Sequence, residues 1–149
     1  MPPSLTLICN PTLHYSILKW PSTSDVTSTL KIMIDETSRE RSFFSITSTS
    51  AETSVVIDDV ILETMSSSLD TSLYVREEGW IAFSIDTSEP IPFDLVGILL
   101  SIAKPLADAK IGIFALSTFN TDHVLIKEAN LEKAKEALEE AGHIFKLAT

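Results

Sequence analysis

The chain has 149 residues, 44% of them hydrophobic, with a formal net charge of −10. That length suits one ordinary domain or two very small ones, and the acidic balance argues against a phosphate backbone as ligand, which needs clustered Lys and Arg. A lone Cys9 excludes an internal disulfide and fits a reducing compartment, and no apolar run approaches the roughly 18 residues of a membrane span.

The first ten residues, MPPSLTLICN, carry no basic region ahead of their short apolar run. They do not read as a secretory signal, so a cytoplasmic location is expected. Leu5–Ile8 and His14–Lys19 read as strands, with β-prone residues between proline-marked breaks. After a turn at Pro21–Ser24, Asp25 opens a short helix to Ile34, with Leu30 and Ile34 at helical spacing. Arg41–Thr47 and Ser54–Ile57 form a hairpin around the polar tip 48–53, followed by a short helix at Val60–Met65. The serine-rich stretch 66–72 reads as a connector, and Leu73–Arg76 as a strand closing a first unit.

Trp80–Asp86 alternates with the period of a strand. Pro90 and Pro92 make Thr87–Phe93 a loop, because each restrains its neighbour to extended geometry. Asp94 is then a good N-cap for an apolar helix over 95–106, which Pro105 should kink or shorten. Ile111–Thr118 and Thr121–Ile126 pair around a polar corner. Asn130 caps a last helix with the face Leu131, Ala134, Leu138 and Ala141, which Gly142 ends before a strand at Ile144–Leu147.

The order β-α-β-β-α-β therefore occurs twice, at a period of about 70 residues. FSITS at 44–48 parallels FALST at 114–118, and VVI at 55–57 parallels VLI at 124–126. The expected fold class is α+β: tandem ferredoxin-like units with antiparallel sheets and helices on one face, divided as 1–77 and 78–149. RNA-binding domains share this fold, but the strands here lack the aromatic pairs those domains stack on bases. The helix 95–106 is apolar around most of its circumference, so the first unit or a second subunit is expected to cover it. Its start, with the polar corner STFNTD, makes a place for a small molecule without a catalytic set.

The stretch PFDLVGILLSIAKPLADAKIGIFALSTFNTDHVLI resembles the ACT domains of the cytosolic arginine sensor (CASTOR) family and related aspartate-kinase-like regulatory proteins. The resemblance covers residues 80–142, and FFSITSTSAETSVVIDD at 43–59 is similar to the hairpin of that family's first ACT unit. It implies a non-catalytic, amino-acid-binding regulatory module that needs no cofactor beyond its free amino acid. It also implies paired ACT units with the effector at their interface, a homodimer here, and a regulated protein as a further partner.

The backbone N–H groups of Gly97, Ile98 and Leu99 suit a carboxylate at a helix start. The glycine's other use would be tight helix–sheet packing. Asp122 is the expected acceptor for an ammonium or cationic side chain, against the alternative of a solvated hairpin carboxylate. The resemblance also implies that Thr118 and Phe119 line the pocket, Phe119 as a lid, with Asn120 shaping the turn. By the same resemblance, Ser101 and Ile102 of a partner subunit approach the ligand. Leu95 stands where the animal sensors carry an acid, so the expected ligand is an amino acid and not arginine in particular.

Two rivals are weighed. An enzyme would need Asp122, His123 and Ser117 to cooperate, yet strand neighbours point to opposite faces. No phosphate loop, metal spacing or nucleophile elbow appears. The other rival is an ACT-like protein–protein interaction module that has lost its small ligand. His14 and His143 read as surface or edge residues.

Overall fold

The structure is a computed structural model that describes residues 4–88 and 96–148. The chain folds as two units, one of Leu13–Trp80 and one made of the residues up to Thr12 together with those from Ile81 onward.

In the first unit, β2 (Tyr15–Pro21), α1 (Thr27–Glu40), β3 (Ser45–Ser48), β4 (Glu52–Asp58), α2 (Asp59–Thr64) and the start of β5 (Val75–Ile85) follow one another. The strand order β3-β4-β2-β5 is wholly antiparallel and is that of a ferredoxin-like unit. Leu18 and Trp20 on β2 and Val55 and Ile57 on β4 are spaced by two, so each pair faces one side. They pack there with Met33 of α1 and Ile61 and Leu62 of α2. The Trp20 and Tyr74 rings meet tilted, with centroids 5.0 Å apart.

α1 runs on to Glu40, past the expected end at Ile34. Its last stretch, DETSRE, has no apolar residue to reveal the period, but Thr37 is buried and donates its hydroxyl to the Met33 carbonyl at 2.7 Å. Asp25 accepts from the Thr27 N–H at 3.2 Å, while Val26 holds the cap position.

β5 is one strand where two were expected. Gly79 takes φ +80°, and the register against β2 slips between Tyr15↔Trp80 and Ile17↔Glu77. This is a β-bulge, and a side chain at that backbone angle would be strained. The sequence places a unit boundary at 77/78, and here the strand is bent but continuous.

The second unit follows β5, α3 (Ile98–Asp108), β6 (Phe114–Ser117), β7 (Asp122–Lys127), α4 (Leu131–Glu140) and β8 (Ile144–Leu147). It also takes β1 (Thr6–Cys9), which was expected in the first unit. β1 lies between β5, antiparallel with Leu7↔Ile85, and β8, parallel with Leu7↔Phe145. The strand order is thus β6-β7-β5-β1-β8, a ferredoxin-like unit with one strand inserted. Leu5, Leu7 and Cys9 alternate into the same core as Ile81, Phe83 and Ile85. Burial pushes the Cys9 thiol up to about 11, so it stays protonated and unreactive at neutral pH.

α3 buries Ile98, Ser101, Ile102 and Leu106, one helical stripe, and leaves Leu100 65% exposed, with Val96 just ahead of the helix 84% exposed. Gly97 and not Asp94 holds its cap position; Asp94 lies outside the described residues. The helix continues through Pro105 to Asp108. Both α3 and α4 end in Schellman motifs. Ile111 N–H donates to the Leu106 carbonyl and Lys110 N–H to Ala107, both at 2.9 Å, with Lys110 at φ +60°. At α4, His143 donates to Leu138 and Gly142 to Glu139, both at 3.0 Å, with Gly142 at φ +95°. Ala134 and Leu138 face the core, whereas Ala141 is exposed, and Asn130 sits at the cap position of α4 without a side-chain capping bond.

Candidate functional site

The start of α3 and the β6–β7 corner come to the same end of the second unit. β5 ends at Ile85 and leads to α3, while the Thr121 hydroxyl of the corner donates to the Ile85 carbonyl at 3.2 Å. The corner is closed by the Thr118 N–H and hydroxyl, which donate to the Thr121 carbonyl at 2.8 and 3.2 Å. Thr118, Phe119 and Asn120 are exposed on it, Phe119 at 80%.

Gly97 stands in the left-handed region at φ +82°, and among the described residues a Cβ built there would meet nothing within 4 Å. Tight packing therefore does not explain this glycine; the backbone angle at the helix entrance does. The N–H groups of Ile98 and Leu99 follow in the first turn, where no intrahelical carbonyl can take them. The Ile98 side chain is buried, and Leu99 is on the exposed side.

Asp122 is half-buried and accepts the Ser117 hydroxyl at Oδ1, 2.5 Å away, across the last pair of the hairpin. Among the described residues its Oδ2 takes no hydrogen bond and no basic side chain neutralises it. A cationic group brought to this corner would find an acceptor. Ser117 thus serves Asp122 and not His123, whose ring belongs to the other face of the strand, opposite Leu116.

Burial holds the His123 imidazole below its usual value of 6.5, and the neighbouring Asp122 charge opposes this in smaller measure. A histidine depressed in the fold stabilises it fully above the unfolded-state value. That stability is lost as pH falls through 6.5 towards the folded-state value. Thermal unfolding followed between pH 7.5 and 5 should therefore show a melting temperature that falls on acidification. His123→Gln should flatten that slope; an unchanged slope would place the proton uptake elsewhere.

Ser101 and Ile102 turn inward, against the expectation that a partner's copies reach the ligand. Ile102 is 1% exposed among Ile98, Leu106 and Val124, and the Ser101 hydroxyl donates to the Ile98 carbonyl at 2.7 Å. Helical spacing puts 98, 101, 102 and 106 on one stripe, and that stripe is the core face. Leu95 lies outside the described residues.

His143, read from sequence as a surface residue, is 5% exposed and bonded through both ring nitrogens. Its place three residues beyond Glu140, the end of α4, in a Schellman motif is the signal that could have marked it as buried. Among the described residues no group of three or more His, Cys, Asp or Glu could hold a metal ion, and no helix is long and apolar enough to cross a membrane. A cleft of about 560 Å³ in the first unit, bordered by Glu36, Glu40, Arg41 and Asp58, involves none of the expected site residues.

The ACT domain family model matches residues 75–140, from β5 to the end of α4. The chain is an α+β protein of two ferredoxin-like units, and those residues are similar to ACT domains. It is also similar in sequence to proteins of the cytosolic arginine sensor group. It is 33% identical over 95 residues to the human protein CASTOR3P, covering 60% of this chain and 56% of that one. It is 43% identical over 51 residues to human cytosolic arginine sensor for mTORC1 subunit 1, covering 34% of this chain and 16% of that one. The chain thus spans little more than half the length of the first of these relatives and less of the second.

Among solved structures, protein Atu0741 from Agobacterium tumefaciens superposes with a TM-score of 0.76 at 28% identity, covering 99% of this chain and 96% of that one. The aspartate kinase of Clostridium acetobutylicum shares the fold, with a TM-score of 0.68 at 14% identity over 91% of this chain and 34% of that one.

Proposed function

We propose that the protein is a non-catalytic, cytoplasmic regulatory protein that binds a free amino acid at the α3 start and the β6–β7 corner, where a second copy of the chain completes the site. The observation that carries this reading is the pairing of opposite electrostatics at one end of the ACT domain. The N–H groups of the first turn of α3, which no intrahelical carbonyl can take, suit a carboxylate, and Asp122 suits an ammonium or a cationic side chain. A zwitterion needs both. The relatives are named as arginine sensors, but Leu95 supplies no acid for a guanidinium, so the ligand class stays a free amino acid. Val96, Leu99 and Leu100 give the homodimer an apolar face, and burying them on association would recover several kcal/mol at about 25 cal/mol per Å².

Those same exposed side chains favour a second reading, an interaction module that binds a regulated protein and no small ligand. A thermal-shift screen of the purified chain against the twenty amino acids separates the two. Ligand at about a hundred times its Kd adds roughly 2.7 kcal/mol to stability, an easily read rise. A rise with one amino acid or a small chemical set is the expected result. Flat melting temperatures with all twenty would leave the interaction module standing and discard the sensor.

A further inference from the structure

Pro105 has no N–H, so the Ser101 carbonyl, four residues earlier in α3, is denied its helical donor. That carbonyl is buried, where an unmet acceptor is costly. The His143 Nε2 lies 2.9 Å from it, and the Nδ1 of the same ring lies 3.2 Å from the Leu5 N–H. Since Leu5 N–H can only donate, Nδ1 accepts and Nε2 carries the proton given to Ser101.

From this geometry we infer that His143 is a positioning residue: it replaces the donor missing at Pro105 and holds the first turn of α3 in place. The hold reaches the helix start through Ser101 itself. The Ser101 N–H donates to the Gly97 carbonyl at 2.9 Å, and its hydroxyl donates to Ile98. Gly97, Ile98 and Leu99 form the proposed carboxylate cradle, so an imidazole beyond the end of α4 sets the aim of N–H groups on another helix. The other ring nitrogen ties the same point to the residue leading into β1, where Ile144 N–H also donates to the Leu5 carbonyl at 2.8 Å. The consequence for ligand affinity rests on the function proposed above; the mechanical coupling does not.

Two amide side chains separate the two bonds. Asparagine at 143 places an acceptor near the Nδ1 position and keeps Leu5, while glutamine reaches as far as Nε2 and keeps Ser101. His143→Asn should speed exchange of the Ser101 amide, which is bonded to the Gly97 carbonyl, in the ligand-free full chain, whereas His143→Gln should leave it close to the parent. Pro105→Ala restores a helical donor, and alanine favours the helix, so it should return exchange in the His143→Asn chain to the parent rate.

With the amino acid that gives the parent its largest thermal shift, His143→Asn should weaken binding roughly tenfold, the value of 1.4 kcal/mol, and Pro105→Ala should recover it. Equal exchange in the two His143 variants, or no rescue by Pro105→Ala, would overturn the inference and leave His143 as packing. Should no amino acid bind the parent, the sensor reading fails, and the exchange measurements still decide the role of His143.

Discussion

Replacing Ile102 with alanine is expected to lower the unfolding free energy by about 2–5 kcal/mol, the range for truncating a buried aliphatic side chain. Ile102 is 1% exposed and packs inside its own unit with Ile98, Leu106, Val124 and Ile126. Urea titration should show the midpoint falling with an unchanged slope, since the surface exposed on unfolding stays nearly the same. The loss should not depend on protein concentration. A cost below about 1 kcal/mol, accompanied by concentration-dependent dissociation, would mean that Ile102 faces a second copy, as the resemblance implies.

Asp122→Asn should act in the opposite way, on ligand and not on fold. Asparagine keeps an oxygen for the Ser117 hydroxyl, so stability should stay within about ±0.5 kcal/mol of the parent. What disappears is the negative charge. A hydrogen bond to a charged group contributes about 1.5–3 kcal/mol, so the amino acid should bind at least about tenfold more weakly. Isothermal titration of parent and variant gives both affinities directly. Unaltered affinity would make Asp122 a hairpin carboxylate held by Ser117 and nothing more. The same substitution removes the charge that opposes the His123 depression, so the acid slope of stability should persist or steepen.

Much of the fold was legible because its signals are local. The strand at Ile144–Leu147 and the helix stop at Gly142 appear as expected, since alternation and a left-handed glycine need no distant partner. The polar corner after β6 was equally plain. The end of α1 was not, because DETSRE shows no apolar period and the burial of Thr37 depends on what α1 packs against. The break expected between Arg76 and Trp80 is a different case: the apolar alternation lapses over 77–79, yet Gly79 only bulges one continuous strand.

The candidate site divides along the same line. Gly97 and Asp122 were identifiable by residue type, while the inward turn of Ser101 and Ile102 was hidden because α3 is apolar around most of its circumference. An apolar helix does not announce which stripe is core. His143 was missed because its bonds to Leu5 and Ser101 span 138 and 42 residues.

Most of the elements, the twofold βαββαβ pattern and the positions of the α3 start and the corner after β6 follow from the chain alone, because periodicity, caps and turns act within a few residues. That β1 completes the second unit between β5 and β8, which face of α3 is core, and that His143 meets the carbonyl orphaned by Pro105 emerge in the folded chain alone. Those choices are made by strand pairing, packing and buried hydrogen bonds between residues far apart in the chain, and no local pattern encodes them.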